Sequence, residues 1–160
     1  MSLQVKVVDN EVRIGDHFSF SFQRTLRIPD DGKSYGLPPG LGRFPVCRVD
    51  DYLERVPEKW RKTGGVFIPM YQREAMWLQF NSSHRNAVKV AVGKVNAVTG
   101  KPWKNELDGE EQDYMVVPNQ PWLDGINAGG ENIKQFIAMP LGSGYTVEGQ
   151  VTGKEEFGGI

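Results

Sequence analysis

Apolar residues recur at every second position through much of this chain, and that period belongs to β-strands. The clearest run covers residues 17–28. Phe18, Phe20 and Phe22 fall on one face, with Leu26 and Ile28 in the same phase, while His17, Ser19, Ser21 and Gln23 fall on the other. Arg24 shares the phenylalanine phase. A guanidinium on an apolar face is costly unless paired. Three placements are therefore open: a bulge or strand exit that turns it away, an ion pair with a carboxylate, or projection into a ligand pocket. Upstream, Val5 and Val7 and then Val12 and Ile14 flank Asp9-Asn10, a two-residue hairpin signal. Residues 65–98 hold three apolar runs, each too short for a stable helix, and predict a three-strand meander around which the fold is organised. In its middle run Met76, Leu78 and Phe80 share a face and Trp77 opposes them, which predicts a central strand covered on both sides. In its third run Val88, Val90 and Val92 face the core, and Lys89 faces solvent.

Elsewhere the period changes or breaks. Residues 29–45 form a long Pro- and Gly-rich connection in which Tyr35, Leu41 and Phe44 are expected to pack down. Val49, Tyr52, Leu53 and Val56 have helical spacing, Pro57 opens a second turn, and Gly64 is its stop. Residues 98–102 form a turn and 103–113 an acidic loop; 114–117 form a short strand closed by Pro118, and 119–130 a loop. Residues 133–139 form a strand, and 145–151 a one-sided strand in which Tyr145, Val147, Gly149 and Val151 alternate with polar residues. The pattern predicts one mainly-β domain over residues 1–160, an antiparallel two-sheet sandwich or flattened barrel with one short helical segment at residues 49–62. The chain ends on Phe-Gly-Gly-Ile, which reads as a C-terminal truncation because native termini are usually polar.

Composition narrows the partners. The 160 residues carry a net charge of −1, so no bulk field draws nucleic acid or an anionic membrane. Cys47 is the only cysteine, which excludes an intramolecular disulfide and a cysteine-built metal site. No window approaches the ~18–20 apolar residues of a membrane span, and the N-terminus lacks an apolar leader run, so a cytoplasmic location is expected. Asn81-Ser82-Ser83 matches a glycosylation acceptor but reads as a polar turn without a secretory route.

Catalytic signatures are absent. No phosphate-binding glycine loop, dinucleotide fingerprint or nucleophile elbow occurs. His17 and His84 are far apart and in no ligand spacing, so no metal and no cofactor is expected. The acidic loop lacks the calcium-loop order and reads first as a solvated loop. Trp77, Trp103, Trp122 and Tyr114 offer either a stacking platform or plugs for the ends of a sandwich. The best platform candidate is residues 122–125, an aromatic beside a carboxylate on a loop, which suits polyol recognition. The candidate ligand-binding set is Arg24, Trp77, Trp122, Asp124 and Gln135, and no catalytic residue is assigned. Three functions remain. The first is a non-enzymatic binding or interaction module for a small polar ligand or a protein partner. The second is an enzyme with a carboxylate/arginine pocket drawn from Arg24, Glu74, Asp124 and Glu148. The third is a structural piece of a larger chain, whose exposed terminal strand completes a partner's sheet, and a homo-oligomer is left open as a partner.

Six segments carry a resemblance: residues 24–32 (Arg-Thr-Leu-Arg-Ile-Pro-Asp-Asp-Gly), 37–42, 65–75, 93–100, 120–126 and 139–153. On these the chain resembles, over nearly its whole length, a family of uncharacterised microbial proteins that often carry the automatic label "integral membrane protein". The resemblance implies no activity, ligand or catalytic residue. It implies that members continue beyond the final Gly-Gly-Ile. The membrane label conflicts with the lack of a spanning segment.

Overall fold

Asp9 and Asn10 both take positive φ, 52° and 60°, the turn geometry whose twist matches a right-handed two-strand ribbon. The computed structural model describes residues 3–29, 31–33, 35–130, 132–155 and 158–160. The turn joins β1 (Val5–Val8) to β2 (Glu11–Ile14), and its register pairs Val5 with Ile14 and Val7 with Val12, so all four apolar side chains share a face. After β3 (Phe18–Thr25) the chain runs through β4 (Gly40–Arg43), β5 (Cys47–Arg48), a 3-10 turn (Val49–Tyr52), α1 (Glu58–Thr63), β6 (Val66–Phe67) and β7 (Ala75–Ser82). Four short strands follow: β8 (Asn86–Val88), β9 (Ala91–Val92), β10 (Val95–Asn96) and β11 (Met115–Val117). The chain closes with β12 (Trp122–Leu123), β13 (Gly125–Gly129), β14 (Asn132–Ile137) and α2 (Val147–Thr152).

The fold is mainly β and antiparallel. Its main sheet runs β1-β2-β3-β7-β14-β13, with β4 beside β3 and β12 beside β7. Among the described residues its two ends are not paired to each other, so the sheet is open and not a closed barrel. The long ladder is β3 on β7, from Phe18 opposite Ser82 to Thr25 opposite Ala75. That register gathers Phe18, Phe20 and Phe22 with Leu78, Met76 and Phe80 on one face. The short pairs β8–β11 and β9–β10 supply Val95, Met115 and Val117, and the link between β8 and β9 supplies Val90, to the same buried cluster, a sandwich-like second layer. Removing a side chain such as Leu78 (2% exposed) from water contributes ~1.5–3 kcal/mol. Among the described residues no helix is long and apolar enough to cross a membrane.

The structure corrects several sequence expectations. Residues 65–98 do not form a meander. β6 pairs with β5, β8 with β11, and β9 with β10. β7 has only two edges: β3 fills one along its length, and β14 and β12 share the other. Lys89 does not face solvent. Its side chain is 7% exposed and its ammonium donates to Asp113 Oδ2 at 2.5 Å and to the carbonyls of Lys104 and Glu106 at 2.7 and 2.6 Å. The acidic loop thus wraps a lysine, and Trp103 lies 4.9 Å from the same ammonium. Residues 145–151 do not form a strand. Val147 and Val151, four apart, fit either period, and the caps decide: Thr146 Oγ1 accepts the Gly149 N–H at 3.1 Å, and Gly153 stops the helix at φ 74°. The expected loop 119–130 instead holds β12 and β13. Tyr35 and Leu41 stay exposed while Phe44 is fully buried, and Tyr52 and Leu53 are exposed where Val49 and Val56 are buried. Phe157, at the start of the expected truncated end, lies outside the described residues.

One glycine is set by contact. A Cβ on Gly125 meets the Lys134 carbonyl oxygen at 2.3 Å and Ile133 Cγ2 at 2.6 Å, across the β13–β14 pair. Gly125→Ala must part the two strands, and a loss of ~1–3 kcal/mol is expected. Urea unfolding measures it, and an unchanged midpoint refutes so close an approach.

Candidate functional site

The face of the main sheet opposite the phenylalanines is polar, buried along β3 and exposed at Gln79 and Asn81 of β7. Ser19, Ser21, Gln23 and Thr25 are each under 10% exposed. Small side chains at the centre of a sheet sit below the tops of their neighbours, and here those neighbours are large. Gln23 lies opposite Trp77, and Ser21 opposite Gln79. Across the other edge of β7, Trp122 lies opposite Gln79. Residues two apart along a strand share a face, so Trp77 and Trp122 are diagonal neighbours around Gln79, with Asn81 and Ser19 continuing the same face.

Hydrogen bonds hold the centre of this surface. Gln23 Nε2 donates to Ser21 Oγ at 3.0 Å and to Gln79 Oε1 at 2.9 Å. Trp77 is half-buried, and glycine at position 40 makes room for its ring: a Cβ there lies 3.3 Å from Cζ2. The Trp77 indole N–H is buried with no acceptor among the described residues, an unmet donor of a kind folded proteins seldom tolerate. Trp122 is 40% exposed. The connection after β3 passes over one end of the face. Gln135 Nε2 donates to the Leu26 carbonyl and its Oε1 accepts the Ile28 N–H, both at 2.9 Å, while Thr25 Oγ1 donates to the Pro39 carbonyl at 2.9 Å. The result is a floor of amides and hydroxyls beside two indoles, with a loop wall at one end.

The five residues singled out by sequence are not gathered in one pocket. Trp77 and Trp122 share the face, and Gln135 clips its loop wall. Arg24 is on the core side, opposite Met76. It takes the ion-pair placement: Nε is 2.6 Å from Glu74 Oε1, and the guanidinium carbon is 4.4 Å from the Phe44 ring centre. Glu74 Oε2 in turn accepts the Tyr71 N–H at 2.9 Å. An irregularity does occur at Arg24, in the register of β3 with β4 between Gln23 and Thr25, while the β3–β7 ladder runs through unbroken. Asp124 links β12 to β13, and its backbone carbonyl accepts the Phe136 N–H at 3.0 Å. Glu148 is buried in α2, where its carboxylate accepts the Gly158 N–H at 3.0 Å. Trp103 is engaged with Lys89, and its indole N–H donates to Asn105 Oδ1 at 2.9 Å.

A groove of about 370 Å³ lies elsewhere, between β13, β14, α2 and the turn at Thr99 and Gly100. Its cation, Lys134, is held by Gln150 Oε1 at 2.8 Å. Sequence reasoning missed Ser83, which the fold places between the two histidines. Only the pairing of β3 with β7 brings those residues together, and no local spacing signals it. A scan against protein-family models, a search of curated proteins and a search of solved structures each return no match.

Proposed function

We propose that this chain is a non-enzymatic binding module and that the tryptophan-bearing face of its main sheet takes a small polar ligand with a flat apolar side, a sugar ring being the chemistry that fits. The observation that carries this reading is the placement of Trp77 and Trp122 as diagonal neighbours around Gln79. Indole faces stack on the C–H face of a sugar, and fixed amides and hydroxyls bond its rim. The Gln23–Ser21–Gln79 hydrogen bonds organise those groups before a ligand arrives, which lowers the ordering cost of binding.

The test is calorimetric titration with neutral mono- and oligosaccharides of glucose, galactose, xylose and N-acetylglucosamine. Binding to at least one series is expected, with quenching of tryptophan fluorescence. Trp122 is partly exposed, so Trp122→Ala is expected to leave the thermal midpoint nearly unchanged and to weaken binding about tenfold, the equivalent of ~1.4 kcal/mol of stacking. Silence across the panel at millimolar sugar, or affinity indifferent to Trp122, refutes the reading.

A further inference from the structure

The chain has two histidines, and the fold puts them in contact, ring centres 4.2 Å apart at 67°. Two features of the β3–β7 ladder do this. Its last pair, Phe18 with Ser82, is followed by a backbone bond from Ser83 N–H to the His17 carbonyl at 3.1 Å. The turn after β7 is tied by Ser82 Oγ, which accepts from the His84 N–H at 3.2 Å and from Asn86 Nδ2 at 2.7 Å. Ser83 Oγ then sits 3.2 Å from His17 Nδ1 and 3.0 Å from His84 Nδ1.

Both Nδ1 atoms therefore lie within hydrogen-bond reach of one hydroxyl oxygen, and that spacing has a second meaning. Metal–nitrogen bonds of ~2.0–2.1 Å put two ligands of one ion about 2.9–3.4 Å apart, from right-angled to tetrahedral geometry. Both N···O separations fall within that range. We propose that His17 Nδ1, His84 Nδ1 and Ser83 Oγ form a three-donor site for a divalent transition-metal ion of the zinc, nickel or copper class. Imidazole nitrogen favours these ions, whereas magnesium and calcium require oxygen donors. Both rings then carry their proton on Nε2 and present a bare Nδ1. His17, Ser83 and His84 are all exposed, so the remaining coordination positions open to water or to a ligand. Among the described residues no group of three or more His, Cys, Asp and Glu side chains comes together. The third donor here is a hydroxyl, and the site is weaker than a closed structural zinc site.

The untagged 160-residue chain, titrated with zinc or nickel chloride by calorimetry, is expected to bind one equivalent. Copper(II) added to the same protein is expected to show coupling to two nitrogens in its electron paramagnetic resonance spectrum. His17→Ala and His84→Ala are each expected to weaken binding about tenfold or more, and Ser83→Ala by less. In the wild type, zinc is expected to shift the ring nitrogen resonances of both histidines, a readout that needs no variant to fold. Because no other histidine exists in the chain, binding retained in the double histidine variant overturns the site. So does silence at millimolar zinc and nickel, a ring shift confined to one histidine, or calcium binding of equal strength. Neither tryptophan of the sheet face enters this test, so its failure leaves the sugar-binding reading to be judged separately.

Discussion

Phe44→Ala is expected to lower the unfolding free energy by ~3–5 kcal/mol, a large share of the ~5–15 kcal/mol that holds a domain of this size together. Phe44 is 0% exposed and belongs to the main buried cluster. It follows directly on β4, and its N–H donates to the Phe22 carbonyl at 2.8 Å. Its ring also faces the Arg24 guanidinium at 4.4 Å. Truncation therefore opens a cavity, removes a cation–π contact and releases the end of a long connection at once. Phe44→Leu keeps most of the volume and is expected to lose much less. Urea unfolding of both variants decides it, and an alanine variant as stable as the leucine one shows that the site collapses without cost.

Lys89→Met is expected to destabilise the protein to a similar order and to flatten its response to acid. Methionine keeps the apolar stem but leaves Asp113 and the carbonyls of Lys104 and Glu106 without their donor. Removing one partner of a buried pair is far costlier than removing an exposed one, because the other charge stays behind uncompensated. The hydrogen bond from Lys89 holds the Asp113 carboxyl below the usual carboxylate range, against the opposing effect of burial, with help from the Asp108 N–H. A carboxyl depressed in the folded state takes up its proton later than the unfolded chain does. Its stabilisation is therefore complete above the ordinary aspartate value of ~3.9 and disappears as pH falls through the folded value. Glu155, lowered first by the Thr146 hydroxyl, and Asp108, lowered first by the Glu111 N–H, act with the same sign. The difference between thermal midpoints at pH 7 and pH 3 is expected to shrink in Lys89→Met, since only the Asp113 share is removed. An unchanged difference shows that the pair does not govern acid stability.

Local chemistry was legible wherever one element decides its own shape. The Asp9-Asn10 hairpin, the alternation begun at residue 17, the faces of β7 and the Gly64 stop follow from period, turn residues and glycine, although the strand ends at Thr25 and leaves Leu26 exposed instead of running on to residue 28. Partner choice was not legible. Three adjacent apolar runs suggest a meander, yet β7 already has both edges filled by strands that come before and after it in the chain. Lys89 shows the same limit at one residue. Alternation puts it opposite the valines, but the acidic loop that covers it begins far enough along the chain that no local pattern announces the pairing. The stretch after Tyr145 failed differently, because valines four apart satisfy both periods and only the Thr146 and Gly153 caps select the helix.

Of the candidate binding residues, sequence named both tryptophans of the sheet face but placed Trp122 on a loop and credited Arg24 with a possible ligand. The ladder register decided that Trp77 and Trp122 share a face, that Arg24 is spent on Glu74, and that His17, Ser83 and His84 converge. By itself the amino-acid order determined a mainly-β chain, because side-chain alternation is a property of one strand. The tertiary structure alone decided which strands meet and hence which polar groups stand together, because hydrogen-bonding edges are identical in every strand and only packing of the whole chooses among them.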